Sequence, residues 1–197
     1  LVNSSYTGTS AIYGNVYGGS ALGNTNASKT GNDPMEFYTD GETAKKTHVN
    51  LYAGTINGNV FGGGLGRQYK AAVAAVGSEG NPGYVPAQAE QTAVESYVGG
   101  DVFVTLDGAQ LNCTFTGTGD NRMPLTGQIF GANNLNGTPK GHVKVHVKRT
   151  VDSEKDTEVA RDSRTTYDVA AVYGGGNQAD YIPVDPTPET PLNDTED

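Results

Sequence analysis

Gly58-Asn-Val-Phe-Gly-Gly-Gly64 decides the reading of this chain, because the chain returns to it three times. Residues 14–20 read GNVYGGS, 127–133 read GQIFGAN and 170–177 read AAVYGGGN. A β-branched residue, an aromatic and a run of small residues recur with Val16, Val60, Ile129 and Val172 as anchors, at spacings of 44, 69 and 43 residues. A fixed signature at irregular spacing implies one structural unit that carries insertions of different length. Solenoids tolerate this, since each repeat touches only its neighbours and loops swell outward.

A second constant element lies between the anchors. His48-Val-Asn-Leu-Tyr52, Asp101-Val-Phe-Val-Thr-Leu-Asp107 and His142-Val-Lys-Val-His-Val-Lys148 alternate polar and apolar residues. Period two with one apolar face marks a strand packed on one side. Short segments follow two of these strands, Gly54-Thr-Ile-Asn-Gly58 and Gly108-Ala-Gln-Leu-Asn112. One repeat is therefore a strand, a glycine turn, a short strand, a second turn, a third strand and a glycine corner. Strands of three to six residues repeated in this way predict an all-β, right-handed parallel β-helix of about three to four coils over residues 1–181, with irregular loop insertions. Val60 and Ile129 then point into the core. The corners fall at Gly18, Gly19, Gly62, Gly63, Gly64, Gly131, Asn133, Gly174, Gly175 and Gly176, where positive φ is expected. Asn15, Asn59, Gln128 and Asn177 are placed to stack along the axis.

Composition agrees with short strands and tight turns. Glycine supplies 28 of 197 residues, about twice its usual ~7% share, while hydrophobic residues are 35%. Trp is absent and Tyr outnumbers Phe 11 to 5, which places aromatics where a hydroxyl can reach water. The net charge of −9 argues against nucleic acid as a partner. Residues 182–197 hold five acids, four prolines and no Lys or Arg, the pattern of an acidic linker or inter-coil excursion. No run of 18 apolar residues is present, so no membrane span is expected. The chain begins Leu-Val-Asn-Ser-Ser and reads as an excised or mature piece. The single Cys113 sits among alternating apolar residues as a small hydrophobe, without the electropositive surroundings of a reactive thiol. The run Gly62–Arg67 follows a strand, but it lacks the helix and lysine of a phosphate-binding loop. Residues 86–97 suggest a short helix beginning at Pro86, and 152–164 a charged excursion.

The repeated GNVYGG, GNVFGGGLG and VYGGGNQAD, alternating with the three strands above, resemble the large repeat-rich surface proteins of Bacteroides-type gut bacteria. The resemblance covers most of residues 10–181. It implies a right-handed β-helix, an extracellular or cell-surface location and further coils in a parent chain. It transfers no catalytic residues.

If the three alternating strands stack in simple register, their outward side chains form the columns His48/Asp101/His142, Asn50/Phe103/Lys144 and Tyr52/Thr105/His146, with Asp107 beside Lys148. Tyr52, Phe103, Lys144, His146 and Lys148 are the candidate binding residues, the rings for sugars and the cations for uronate or sulfate. His48, Asp101 and His142 have metal-ligand chemistry, but a slip in register would scatter them, so no metal and no other cofactor is assigned. Hydrolysis needs two carboxyl groups about 5–9.5 Å apart, whereas Asp101 and Asp107 lie ~20 Å apart along one strand. Catalysis is therefore not expected, and no catalytic residue is assigned. The first expectation is a structural or adhesive segment that contacts neighbouring coils or domains through its insertions and ends. The second is a carbohydrate-binding module for acidic polysaccharide, and the third a polysaccharide lyase or hydrolase.

Overall fold

The computed structural model describes residues 11–27, 46–149 and 169–181. Twelve strands are present among them: β1 (Ala11–Ile12), β2 (Val16–Tyr17), β3 (Thr47–Leu51), β4 (Thr55–Ile56), β5 (Val60–Phe61), β6 (Val102–Asp107), β7 (Gln110–Leu111), β8 (Phe115–Thr116), β9 (Met123–Pro124), β10 (Gln128–Phe130), β11 (Val143–Arg149) and β12 (Ala171–Tyr173). The one helical element among the described residues is a 3₁₀ turn, Gly119–Asn121. No described helix is long and apolar enough to cross a membrane. The expected helix over 86–97 does not form. Those residues are the return arm of an extended hairpin, where Arg67 pairs with Val94, Lys70 with Gln91, Val73 with Gln88 and Val76 with Val85. Pairing with the outgoing arm satisfies backbone groups that local helical bonds would otherwise have to satisfy. The expected excursion at 152–164 and the acidic stretch 182–197 lie outside the described residues.

Three parallel sheets carry the architecture, in strand orders β1-β4-β7, β12-β10-β5-β2 and β11-β6-β3. The chain visits them in rotation. From β3 it passes to β4 and β5, each in a different sheet, and then returns to β6 beside β3. From β6 it passes to β7 and, after the antiparallel β8–β9 hairpin, to β10. The anchors stack as expected, with Val16 opposite Val60, Val60 opposite Ile129 and Ile129 opposite Val172. The core is drawn from all three sheets: Val49, Val104, Leu106, Ile56, Leu111, Val60 and Ile129 join one cluster. Burial in β6 alternates residue by residue, as a strand with one apolar face requires.

The aromatics next to the anchors form their own ladder. Tyr17, Phe61, Phe130 and Tyr173 stack with ring centroids 4.8–5.0 Å apart and planes within 14°. That spacing is the parallel strand separation, and each pair adds about 0.5–1.5 kcal/mol beyond its burial. A polar ladder runs beside it. The Asn15 side-chain carbonyl accepts from the Asn59 N–H at 2.8 Å, and that of Asn59 accepts from the Gln128 N–H at 2.9 Å. Asn177 does not continue this ladder: its amide donates to Asn134 at 3.0 Å.

The corners need glycine for a different reason from the one expected. Positive φ occurs instead at linking glycines such as Gly54 and Gly108, with values of 86° and 113°. Gly18, Gly19, Gly62, Gly63, Gly64, Gly131, Gly174, Gly175 and Gly176 are not left-handed, nor is Asn133. The inner corners are packed too tightly for a Cβ. One on Gly62 would lie 2.2 Å from the Gly131 carbonyl oxygen, and one on Gly18 would lie 2.2 Å from that of Gly62. The backbone there still follows the ladder, with Gly18, Gly62 and Gly131 each donating to the carbonyl of the aromatic residue in the neighbouring strand at 2.8–2.9 Å. Asn133 is fully buried and fills room that Gly63 leaves, since a Cβ on Gly63 would fall 1.9 Å from its Oδ1. Its Oδ1 accepts from the Gly64 N–H at 3.1 Å.

Candidate functional site

The outward side of the β11-β6-β3 sheet forms an open concavity of about 180 Å³. That is smaller than the ~300–1,000 Å³ of enclosed small-molecule sites, so it suits part of a long ligand lying on the surface. Its floor follows from the strand pattern. The inward residues Val49, Val104 and Leu106 are buried in the core, so their neighbours along each strand must face out. All five candidate binding residues, Tyr52, Phe103, Lys144, His146 and Lys148, line this concavity, together with His48, Asn50, Thr105 and Asp107.

The register differs from the simple one in two respects. Strands β6 and β11 align as expected, with Phe103 opposite Lys144 and Thr105 opposite His146. Strand β3 is displaced by two residues, which places His48 opposite Phe103 and Asn50 opposite Thr105. A two-residue slip keeps each side chain on its face and changes its neighbours. The columns are therefore His48/Phe103/Lys144 and Asn50/Thr105/His146. At the far end the β11 register shifts between Val147 and Arg149, so Asp107 pairs with Arg149, and Lys148 sits in the irregularity.

Two consequences follow for the expected chemistry. His48 is carried away from Asp101, whose carboxylate instead accepts the backbone N–H of His142 at 2.9 Å. Among the described residues no three of His, Cys, Asp and Glu gather as metal ligands. The Phe103 ring is also not a platform for sugars. His48 stacks on it with centroids 5.0 Å apart and planes 10° from parallel, and the Lys46 ammonium lies 5.6 Å from its centroid. Its faces look along the stack, so its edge meets solvent. Lys46 was not singled out from the sequence, although its place just before the strand is a usable signal.

The face is richer in cations than the chain as a whole. The described residues hold eight Lys and Arg against seven Asp and Glu, so the negative balance lies in segments 28–45, 150–168 and 182–197. Within the concavity Asp107 is the one acid, sharing the lining with Lys144, His146, Lys148 and His48. The arrangement offers cations and neutral hydrogen-bonding groups rather than a pair of carboxylates.

A second polar cluster lies elsewhere. Tyr97 donates to the Glu95 carboxylate, and the Lys140 ammonium sits 4.1 Å from the Tyr97 ring centroid. Burial, then the hydrogen bond and charge of Glu95, push the Tyr97 phenol up to about 12. Cys113 is half-buried and its thiol donates to the Leu111 carbonyl at 3.3 Å. Comparisons of this chain with protein-family models, with curated proteins and with solved structures find no match.

Proposed function

We propose that the three sheets are the walls of a right-handed parallel β-helix, and that this solenoid is a structural and adhesive segment of a larger extracellular bacterial surface protein. The rotation of the chain among three sheets supports the β-helix, and parallel crossovers are right-handed in almost all known cases. On this reading one domain covers residues 1–181, and the acidic 182–197 serves as a linker or an inter-coil excursion. The observation that carries the adhesive role is the hairpin between Arg67 and Val94. It is exposed along nearly its whole length and leaves Tyr69, Val73, Val76 and Val85 at 48–61% exposure. Large apolar side chains held out on an arm mark a contact surface, while the stacked ladders below supply a rigid base. Neighbouring coils, domains or cells are the partners this predicts.

The test is a deletion of residues 68–93 replaced by a short Gly-Ser turn, expressed in the source bacterium. Protease treatment of whole cells should remove the intact chain from the surface. The deletion should leave the thermal midpoint of the purified chain within a few degrees and reduce attachment of the cells. A chain protected from external protease, or attachment unaffected by the deletion, overturns the proposal.

A further inference from the structure

The outer face of β11 carries the strongest remaining chemistry. Lys144, His146 and Lys148 line the same side, the first two one step of roughly 6.6 Å apart along the strand and Lys148 beyond them in the irregularity. Across the sheet the pattern differs, because the columns run from a cation to Phe103 or Thr105 and then to His48 or Asn50. The cations thus form a line along one strand. Beside that line lies a floor of hydroxyl and amide groups, Thr105 and Asn50, and Asp107 marks one end.

We propose that this row binds an acidic polysaccharide whose chain lies along β11, with its carboxylates on Lys144 and Lys148 and its hydroxyls over Thr105 and Asn50. The charge pattern fits a linear polyanion, and the floor supplies the mixed donors and acceptors that vicinal hydroxyls need. Single-stranded nucleic acid fits less well, because its affinity draws on aromatic faces for base stacking and Phe103 turns its faces along the coil stack. The inference goes beyond the scaffold reading and does not depend on where the protein resides.

Binding of polygalacturonate to the purified chain, read by affinity electrophoresis and calorimetry, tests it. The expected result is retention that weakens with salt, with no retention by neutral dextran. Lys144→Gln with Lys148→Gln should lower affinity by about 2- to 30-fold, the range for two exposed ion pairs. Asp107→Asn should raise it by about 2- to 5-fold on the same scale. The gain in that second variant guards against mistaking a folding defect for lost binding. Lys46→Gln, on the same face but at its β3 edge beside Phe103, should change affinity less than twofold. An unchanged affinity in the double lysine variant or in Asp107→Asn overturns the site. A loss in Lys46→Gln equal to that of the double variant overturns the orientation. Equal or tighter binding of polyglutamate or of a single-stranded oligonucleotide overturns the assignment to polysaccharide.

Discussion

Glycine at the inner corners is required by the neighbouring strands, and Gly62→Ala measures that requirement directly. The added methyl would lie 2.2 Å from the Gly131 carbonyl oxygen, 2.6 Å from Val102 Cγ1 and 2.7 Å from Val104 Cγ2. The nearest obstacle is backbone, so rotation of a side chain cannot relieve it. That backbone is fixed on both sides, since Gly62 donates to Phe130 and Gly131 donates to Tyr173, each at 2.8 Å. Overpacking costs about 1–3 kcal/mol, and stretching one or two ladder bonds adds about 1 kcal/mol each. A total of about 2–5 kcal/mol lowers the melting midpoint by about 4–20 °C for a chain of this size. Gly174 occupies the equivalent corner after β12, the end strand of its sheet, where a Cβ meets nothing within 4 Å and φ is not left-handed. Gly174→Ala should therefore be neutral or stabilise by about 0.4–1 kcal/mol, through the unfolded chain. Urea unfolding followed by circular dichroism, with calorimetry as a second probe, compares the two. Equal losses at both corners would mean that the position demands glycine for its own backbone, and the stacking argument would fall. A Gly62→Ala chain within 1 kcal/mol of the parent would refute it as well.

The anchor ladder predicts a gradient by the same measurement: Ile129→Ala, at a fully buried site, should cost about 2–5 kcal/mol, and Val172→Ala, 46% exposed, about 1 kcal/mol or less. Asn59→Ala removes the acceptor of the Gln128 N–H and the donor to the Leu125 carbonyl, so a loss of about 1–2 kcal/mol is expected, with Asn59→Asp recovering part of it because the acceptor remains. Tyr97 should titrate later than an ordinary tyrosine, with its phenol held near 12; the tyrosinate absorbance lost in Tyr97→Phe should come from the latest part of the titration, and Glu95→Gln should bring the Tyr97 titration to lower pH. Because the folded value lies above the ordinary 10.0, the stability this group contributes is intact below pH 10 and is lost as pH rises toward 12.

Much of this was legible because the repeat states it in side-chain terms. Alternation in Asp101–Asp107 fixes which residues face the core, and the β-branched–aromatic pair fixes the stacked column, so both survive in the structure. The corners were misread because a glycine has two uses, conformational freedom and lack of bulk, and a run such as Gly62-Gly-Gly does not say which one is in play. The answer lies beyond the next strand of the sheet, where Asn133 occupies the volume beside Gly63. The 86–97 segment failed for a related reason. Its alanines and glutamines favour a helix locally, but the partner that holds it extended lies at 67–76, across a glycine-rich turn.

The candidate face shows where strand patterning stops being informative. A period of two assigns a side chain to a face and leaves its register free in steps of two residues. Membership of the face could therefore be read from the sequence, whereas the company each residue keeps could not. The displacement of β3 took His48 from Asp101 to Phe103, which removed a metal-like column and closed an aromatic face in one move. Lys144 and His146 are immune to that uncertainty, because they share one regular strand and their spacing is set by the backbone rather than by pairing; Lys148, in the irregularity that follows, still lines the same concavity. A binding site built from one strand survives any slip of its neighbours by two residues, and for that reason the row along β11 carries the polysaccharide proposal.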